Sequence, residues 1–453
     1  MEKKKRGSFT GEIGFVLAAA GSAVGLGNLW RFPYLAAQYG GGIFILVYII
    51  LALTFGFTLM TTEIAIGRKT KLSPTRAYKE VDSKFGFIGP IAFIIPVIIL
   101  PYYCVIGGWV TKYVTVFAAG QNIAAAEDSF FGNFIGREYA PLIFFIIFLG
   151  LTSLIVISGV EKGIEKVSSY LMPALIVLAV IICIYVITIP GSSAGIKYYL
   201  LPDFSKFSFK TVCAAMGQMF YSLSIAMGIL VTFGSYMKKD VSIESSTTNV
   251  EIFDTAIAIM AGLMIIPAVF AFSGGDPNTL QAGPALMFIT IPKVFASMGL
   301  GTPIGILFFV LVLCAALTSS IALTESAVST FQDELKWCRQ KSTLVVGAIM
   351  IVLGSLSSLG YGPLACVKII GMQFLDFFDF LTNSVMMPIA ALMTSLLVSR
   401  VIGVDKIEEE IRHGESAFRR KKIFVVMIKY LCPIFALIIL ASSVANAFGW
   451  IAM

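Results

Sequence analysis

Two stretches of this sequence put polar and helix-breaking residues where a membrane-buried helix would want neither. Residues 21–34 read GSAVGLGNLWRFPY, so Ser22, Asn28 and Arg31 sit among Gly25, Gly27 and Pro33. Residues 217–236 read GQMFYSLSIAMGILVTFGSY, where Ser222, Ser224 and Gly228 interrupt an apolar run in a similar way. Unwound backbone at membrane depth is tolerated only inside protein or along a cavity. There its freed carbonyls can hold a cation and its freed N–H groups an anion. Gly21 and Gly25 alone fit small-residue helix packing equally well. Asn28, Arg31 and Pro33 following within eight residues favour a binding site, because an ionisable group at that depth defaults to a functional reading.

Other chemistries are excluded. His413 is the only histidine and lies in a charged segment, so no His-based metal site or catalytic triad can form. The seven cysteines, at 104, 183, 213, 314, 338, 366 and 432, contain no CxxC pair and read as packing residues. No nucleophile and base stand in a recognisable constellation, so an enzyme is not expected. The net charge of +7 is spread over short segments, without the continuous basic stripe of a nucleic-acid binder.

The elements that must position these residues follow from composition. The chain has 453 residues, 58% hydrophobic and 13% charged, with a mean hydropathy of +0.90, far more apolar than a soluble domain. A hydrocarbon core of about 30 Å takes about 20 apolar residues per helix. Eleven runs meet that need, at 12–38, 43–67, 87–119, 140–158, 168–189, 211–236, 247–273, 299–330, 343–358, 372–398 and 424–449. Their hydrophobicity is continuous, not alternating, which predicts helices and an all-α polytopic membrane protein. The first run is too long for a cleavable signal. Lys and Arg concentrate on the side of MEKKKR, which predicts a cytoplasmic N-terminus and, after eleven crossings, an external C-terminus. The two interrupted runs are the first and the sixth. Five crossings apart, they enter the membrane from opposite sides, as in the five-plus-five inverted repeat of secondary transporters with discontinuous helices 1 and 6. The expected organisation is one transmembrane domain, 1–453, with repeats at 11–189 and 211–398 and an additional helix at 424–449.

These residues resemble a known family. GSAVGLGNLWRFPY, then QYGGGIF and EIAIGR, YYCVIGGW, GQMFYSLSIAMG, DTAIAIMAGLMIIPAVFAF, LTSSIALTESAVSTFQDE and LDFFDFLTN are similar to the neurotransmitter:sodium symporter family. The absence of a twelfth helix resembles its eleven-helix bacterial branch, which includes hydrophobic amino-acid:sodium symporters.

The resemblance implies two sites for co-transported sodium. One would use Ala23, Asn28, Ser222 and Asp254 together with the substrate carboxylate; the other Gly21, Val24, Ala315, Thr318 and Ser319. Oxygen donors of these types suit a hard cation, although Thr318 and Ser319 alone would be read as hydroxyls bonding to their own helix. Tyr48, Gln218, Ser222 and Asp254 match the chloride site of animal relatives. There the Asp254 carboxylate would replace chloride, against the plainer reading of a helix-end acid. Gly25 matches the aspartate that pairs with amines in monoamine carriers, so the substrate must bring its own carboxylate. Ser22, Ala23, Gly25, Leu26, Gly27, Ile99, Tyr103, Ile106, Tyr221, Ser222, Ser224, Met227, Ser319 and Leu323 would line its pocket. With no charged partner among the side chains around the substrate's own side chain, a neutral, mainly hydrophobic L-amino acid is expected, and Ala226 mildly favours an aliphatic one.

Gates are implied as well. Arg31 and Asp379 resemble the external charged pair, with Tyr103 and Tyr221 as an aromatic lid. Arg6, Asp333, Tyr236 and Phe9 resemble the internal latch, Phe9 replacing a tryptophan. Gly163 and Pro173 resemble the motif at which helix 5 unwinds, or are simple punctuation. The expected function is a chloride-independent, sodium-coupled importer in the plasma membrane, working by alternating access; a sensor or channel of the same fold is the alternative. Its partners would be an amino acid, sodium and lipid, without nucleic acid.

Overall fold

The computed structural model describes residues 7–273, 283–415 and 417–450. Its secondary structure is helical apart from two isolated bridges. In chain order the principal helices are α1 (Glu12–Ala23), α2 (Gly27–Gln38), α3 (Gly42–Thr70), α4 (Pro74–Val81), α5 (Ile88–Ala118), α6 (Ala140–Ile157), α7 (Val160–Ile187), α8 (Phe209–Ser222), α9 (Ile229–Tyr236), α10 (Ile243–Ser273), α11 (Gly301–Leu335), α12 (Arg339–Leu359), α13 (Phe374–Ile402), α14 (Val404–Arg412) and α15 (Lys421–Ala447).

Among the described residues, nine of these helices are long and apolar enough to cross a membrane, and the bent pair α1 and α2 makes a tenth span. The chain is therefore an all-α, multi-pass membrane protein. At 1.5 Å per residue, even the 18 residues of α6 approach the thickness of a hydrocarbon core. The sixth apolar run is instead two short helices, α8 and α9, with residues 223–228 non-helical between them.

Burial separates the central helices from the outer ones. The most apolar windows of α5 and α11 are 72% buried, whereas those of α6, α7 and α15 are 33% buried. On the outer helices Ile143, Ile146, Ile147, Leu154, Val177 and Ile184 point outward, an apolar surface suited to lipid. α5 and α11 pack along each other, α1 lies against α7, α10 and α11, and α9 packs on α3. The interrupted elements are thus enclosed by protein, the one setting in which their open backbone is affordable.

One expectation needs correction. Cys338 and Cys366 are exposed, so they are not packing residues; Cys104, Cys183, Cys213 and Cys432 are buried, and all seven cysteines are free. The segment between Gly163 and Pro173 is wound in this conformation, because α7 is helical from Val160 onward and Pro173 lies inside it.

Candidate functional site

The break between α1 and α2 bends the span by 54°. Its N–H groups leave the helical ladder. That of Gly25 donates to Asn28 Oδ1 at 3.1 Å, that of Leu26 to the Tyr103 hydroxyl at 3.2 Å, and that of Asn28 to the Gly25 carbonyl at 3.2 Å. In an unbroken helix these donors would have served the carbonyls of Gly21, Ser22 and Val24. Those three carbonyls now face Ser319 Oγ on α11, at 3.3, 3.1 and 3.3 Å. Ser319 has one hydroxyl proton to offer, so the cluster has more acceptors than donors. A hard cation satisfies such a cluster. Thr318 beside it bonds back to the carbonyls of Cys314 and Ala315, at 3.2 and 3.1 Å. Back-bonding therefore describes Thr318 in this conformation, but not Ser319, which reaches across to α1.

Asp254 forms the second polar centre. It is fully buried on α10 and accepts from Asn28 Nδ2 at 2.7 Å, the Tyr48 hydroxyl at 2.8 Å and Ser222 Oγ at 2.9 Å. Four elements, α2, α3, α8 and α10, meet at this carboxylate. Gln218 lies one turn before Ser222 on α8; its Nε2 donates to the Gly27 carbonyl at 3.1 Å, and its buried Oε1 has no partner among the described residues.

The second break is held open by backbone in the left-handed region: φ is +54° at Ser224, +62° at Ala226 and +70° at Gly228. For the two non-glycine residues this costs about 1–3 kcal/mol each and persists only where the surroundings enforce it. The enforcing contacts are visible. Ala226 N–H donates to Glu63 Oε1 at 2.7 Å, and Ser224 Oγ lies 3.0 Å from Ser22 Oγ and 3.2 Å from the Ser22 carbonyl.

Between the two breaks lies a small cavity, nearly closed in this conformation. Ser22, Ala23, Gly25, Leu26, Gly27, Asn28, Ile99, Tyr103, Tyr221, Ser222, Ser224, Met227, Ile229, Ser319 and Leu323 line it. No charged side chain is among them. Ile106 is buried but does not line this space, while Ile229 does. Glycine is required at two positions: a Cβ on Gly25 would stand 2.7 Å from Ser319 Oγ and 2.9 Å from the Tyr103 hydroxyl, and one on Gly27 2.7 Å from the Tyr221 ring.

Residues 6–125 and 134–449 match the profile of the sodium:neurotransmitter symporter family. The chain belongs to this family. The symporter is 35% identical over 427 residues to YhdH of Bacillus subtilis, described as an uncharacterized sodium-dependent transporter, covering 92% of this chain and 93% of that one. It is 31% identical over 456 residues to an uncharacterized sodium-dependent transporter of Haemophilus influenzae, covering 97% and 98%. Its fold superimposes on the crystal structure of MhsT in complex with L-phenylalanine with a TM-score of 0.87 at 34% identity, over 97% of this chain and all of that one.

At one end of the symporter's cavity, Arg31 lies 5.7 Å from the centre of the Tyr221 ring, and Asp379 accepts from Tyr102 at 3.1 Å and from Asn383. Arg31 and Asp379 do not form a direct ion pair. At the other end the Tyr236 hydroxyl donates to Glu325 at 2.6 Å, and Arg339 also binds Glu325. Phe9 packs edge-on against Tyr236 and Phe233, and Asp333 accepts from the Ser73 N–H at 2.7 Å. Arg6 lies outside the described residues. Sequence reasoning assigned no role to Tyr102, Glu63, Glu325 or Arg339. A carboxylate inside an apolar run was the available signal for Glu63 and Glu325.

Proposed function

We propose that this symporter imports neutral, mainly hydrophobic L-amino acids with sodium, by alternating access and without a need for chloride. The observation that carries this reading is a cavity lined by no charged side chain, with Asn28 and Ser222, both bonded to Asp254, on one side and the acceptor-rich cluster at Ser319 on the other. The chemistry of this lining suits a zwitterion: its carboxylate would meet the Leu26 and Gly27 backbone, Tyr103 and a sodium ion, its ammonium the carbonyls of the broken segments, and its apolar side chain Ile99, Met227 and Leu323. A charged side chain would stand unpaired there, at a cost of several kcal/mol. The L-phenylalanine bound to MhsT supports the same class of substrate.

In this reading sodium is cargo. One ion would use Ala23, Asn28, Ser222 and Asp254, and the other Gly21, Val24, Ala315, Thr318 and Ser319. Asp254, with Tyr48, Gln218 and Ser222 around it, would supply the negative charge that a bound chloride could otherwise bring. Arg31 and Asp379 above Tyr103 and Tyr221 would close one side, with Tyr236, Asp333 and Arg6 on the other; Gly163 and Pro173 mark where α7 would unwind. The chain would be one transport domain of eleven spans, with repeats at 11–189 and 211–398, the α8/α9 pair as second broken span, N-terminus cytoplasmic and C-terminus external.

The test is a binding screen on the purified protein in sodium. Leucine, valine, phenylalanine and methionine should bind, and glutamate, lysine and dopamine should not. Preferential binding of a charged amino acid or an amine without a carboxylate would overturn the substrate assignment.

A further inference from the structure

Residues 404–415 and 417–421 strap one end of the bundle. Arg68 at the end of α3 is fully buried and donates Nε to Glu410 Oε1 at 2.7 Å and a second N–H to the Val241 carbonyl at 2.6 Å. The Glu244 carboxylate, in the first turn of α10, accepts the N–H groups of Arg419 and Arg420 at 2.8 and 2.9 Å. The Arg420 guanidinium then reaches two turns further along α10. It bonds Glu251 Oε2 at 3.1 Å while resting 4.5 Å from the centre of the Phe57 ring on α3.

Glu251 is 1% exposed, its other oxygen has no partner among the described residues, and among them Arg420 is the cation bonded to it. Residue 251 lies seven positions after 244 and three before 254, which puts all three carboxylates along one side of a continuous helix. α10 has no break between Ile243 and Ser273. A shift at Glu251 is therefore carried to Asp254, whose bonds to Asn28, Tyr48 and Ser222 at 2.7–2.9 Å leave little room for error. A site held within about 0.5 Å needs supporting residues of this kind.

We infer that Arg420 and Glu251 are positioning residues for the first sodium site: the strap sets the place of α10, and through it that of the Asp254 carboxylate. The inference rests on the reading of Asp254 as a sodium ligand given above.

The experiment measures binding of labelled L-phenylalanine to the purified full-length protein across a sodium series, with thermal unfolding as a check on folding. Arg420→Gln should raise the half-saturating sodium concentration by about tenfold, equivalent to about 1.4 kcal/mol. Arg420→Lys, which keeps the charge, should recover most of that loss. Arg420→Gln combined with Glu251→Gln should be no worse than the more affected single variant, because both residues act through one pair. A general loss of stability would lower the unfolding temperature without moving the sodium midpoint. If Arg420→Gln does not fold, Glu251→Asp and Arg420→Lys provide the same readout through smaller shifts. An unchanged sodium midpoint in the folded variants, with wild-type binding still sodium-dependent, would overturn this inference alone. Sodium-independent binding by the wild type would overturn the transport reading beneath it.

Discussion

Ser22 and Ser224 are 202 residues apart in the chain, and their hydroxyl oxygens lie 3.0 Å from one another. Each belongs to an interrupted helical segment, and Ser224 also donates to the carbonyl that the first interruption frees at Ser22. The two breaks are therefore one site, which accounts for the strained φ angles at Ser224 and Ala226. Strain of this kind is stable only when the surroundings over-determine it.

Gly25→Ala tests how tightly that site is closed. The new methyl would stand 2.7 Å from Ser319 Oγ and 2.9 Å from the Tyr103 hydroxyl. Overpacking of this size costs about 1–3 kcal/mol. Amino-acid affinity should fall by about tenfold or more, read by equilibrium binding in saturating sodium on variant protein that thermal unfolding shows to be folded. Unaltered affinity would mean that the amino acid binds elsewhere.

Thr318→Val with Ser319→Ala removes two hydroxyls at nearly constant volume. The carbonyls of Gly21, Ser22 and Val24 would lose the oxygen that gathers them. The sodium concentration needed for half-maximal binding should rise by about tenfold to a hundredfold, in keeping with a loss of about 1.5–3 kcal/mol for a bond to a charged group. An unmoved sodium midpoint would leave these hydroxyls with a packing role only.

The sequence made parts of this site legible for a physical reason. Gly25, Asn28 and Pro33 conflict with an apolar helix, so the first break could be read from local residues, as could the second at Ser222, Ser224 and Gly228. Ile106 was misplaced because it shares a face of α5 with Tyr103 but lies one turn beyond, about 4.5 Å further along the axis and past the cavity. Glu63 and Glu251 were missed for a different reason. Their roles depend on Ala226 and Arg420, each more than 160 residues away, and no local pattern announces such a partner.

Asp254→Asn separates charge from shape. The wild type should transport equally well in chloride and gluconate media if its own carboxylate supplies the negative charge next to the cation, as proposed. The neutral variant should fail in gluconate and recover in part with chloride, because a cation in a low-dielectric interior needs a nearby negative charge. Transport rate in paired media is the measurement. A wild type that stops when chloride is withdrawn would contradict the role given to Asp254.

The central claim is tested most directly by uptake of labelled L-leucine or L-phenylalanine into proteoliposomes containing the purified protein. With an inward sodium gradient and an inside-negative potential, worth about 2.3 kcal/mol per charge per 100 mV, the amino acid should accumulate above its external concentration. Accumulation should collapse when potassium or choline replaces sodium, or when an ionophore dissipates the gradient. Equal uptake with and without sodium, or equilibration that never exceeds the external concentration, would contradict sodium-coupled transport.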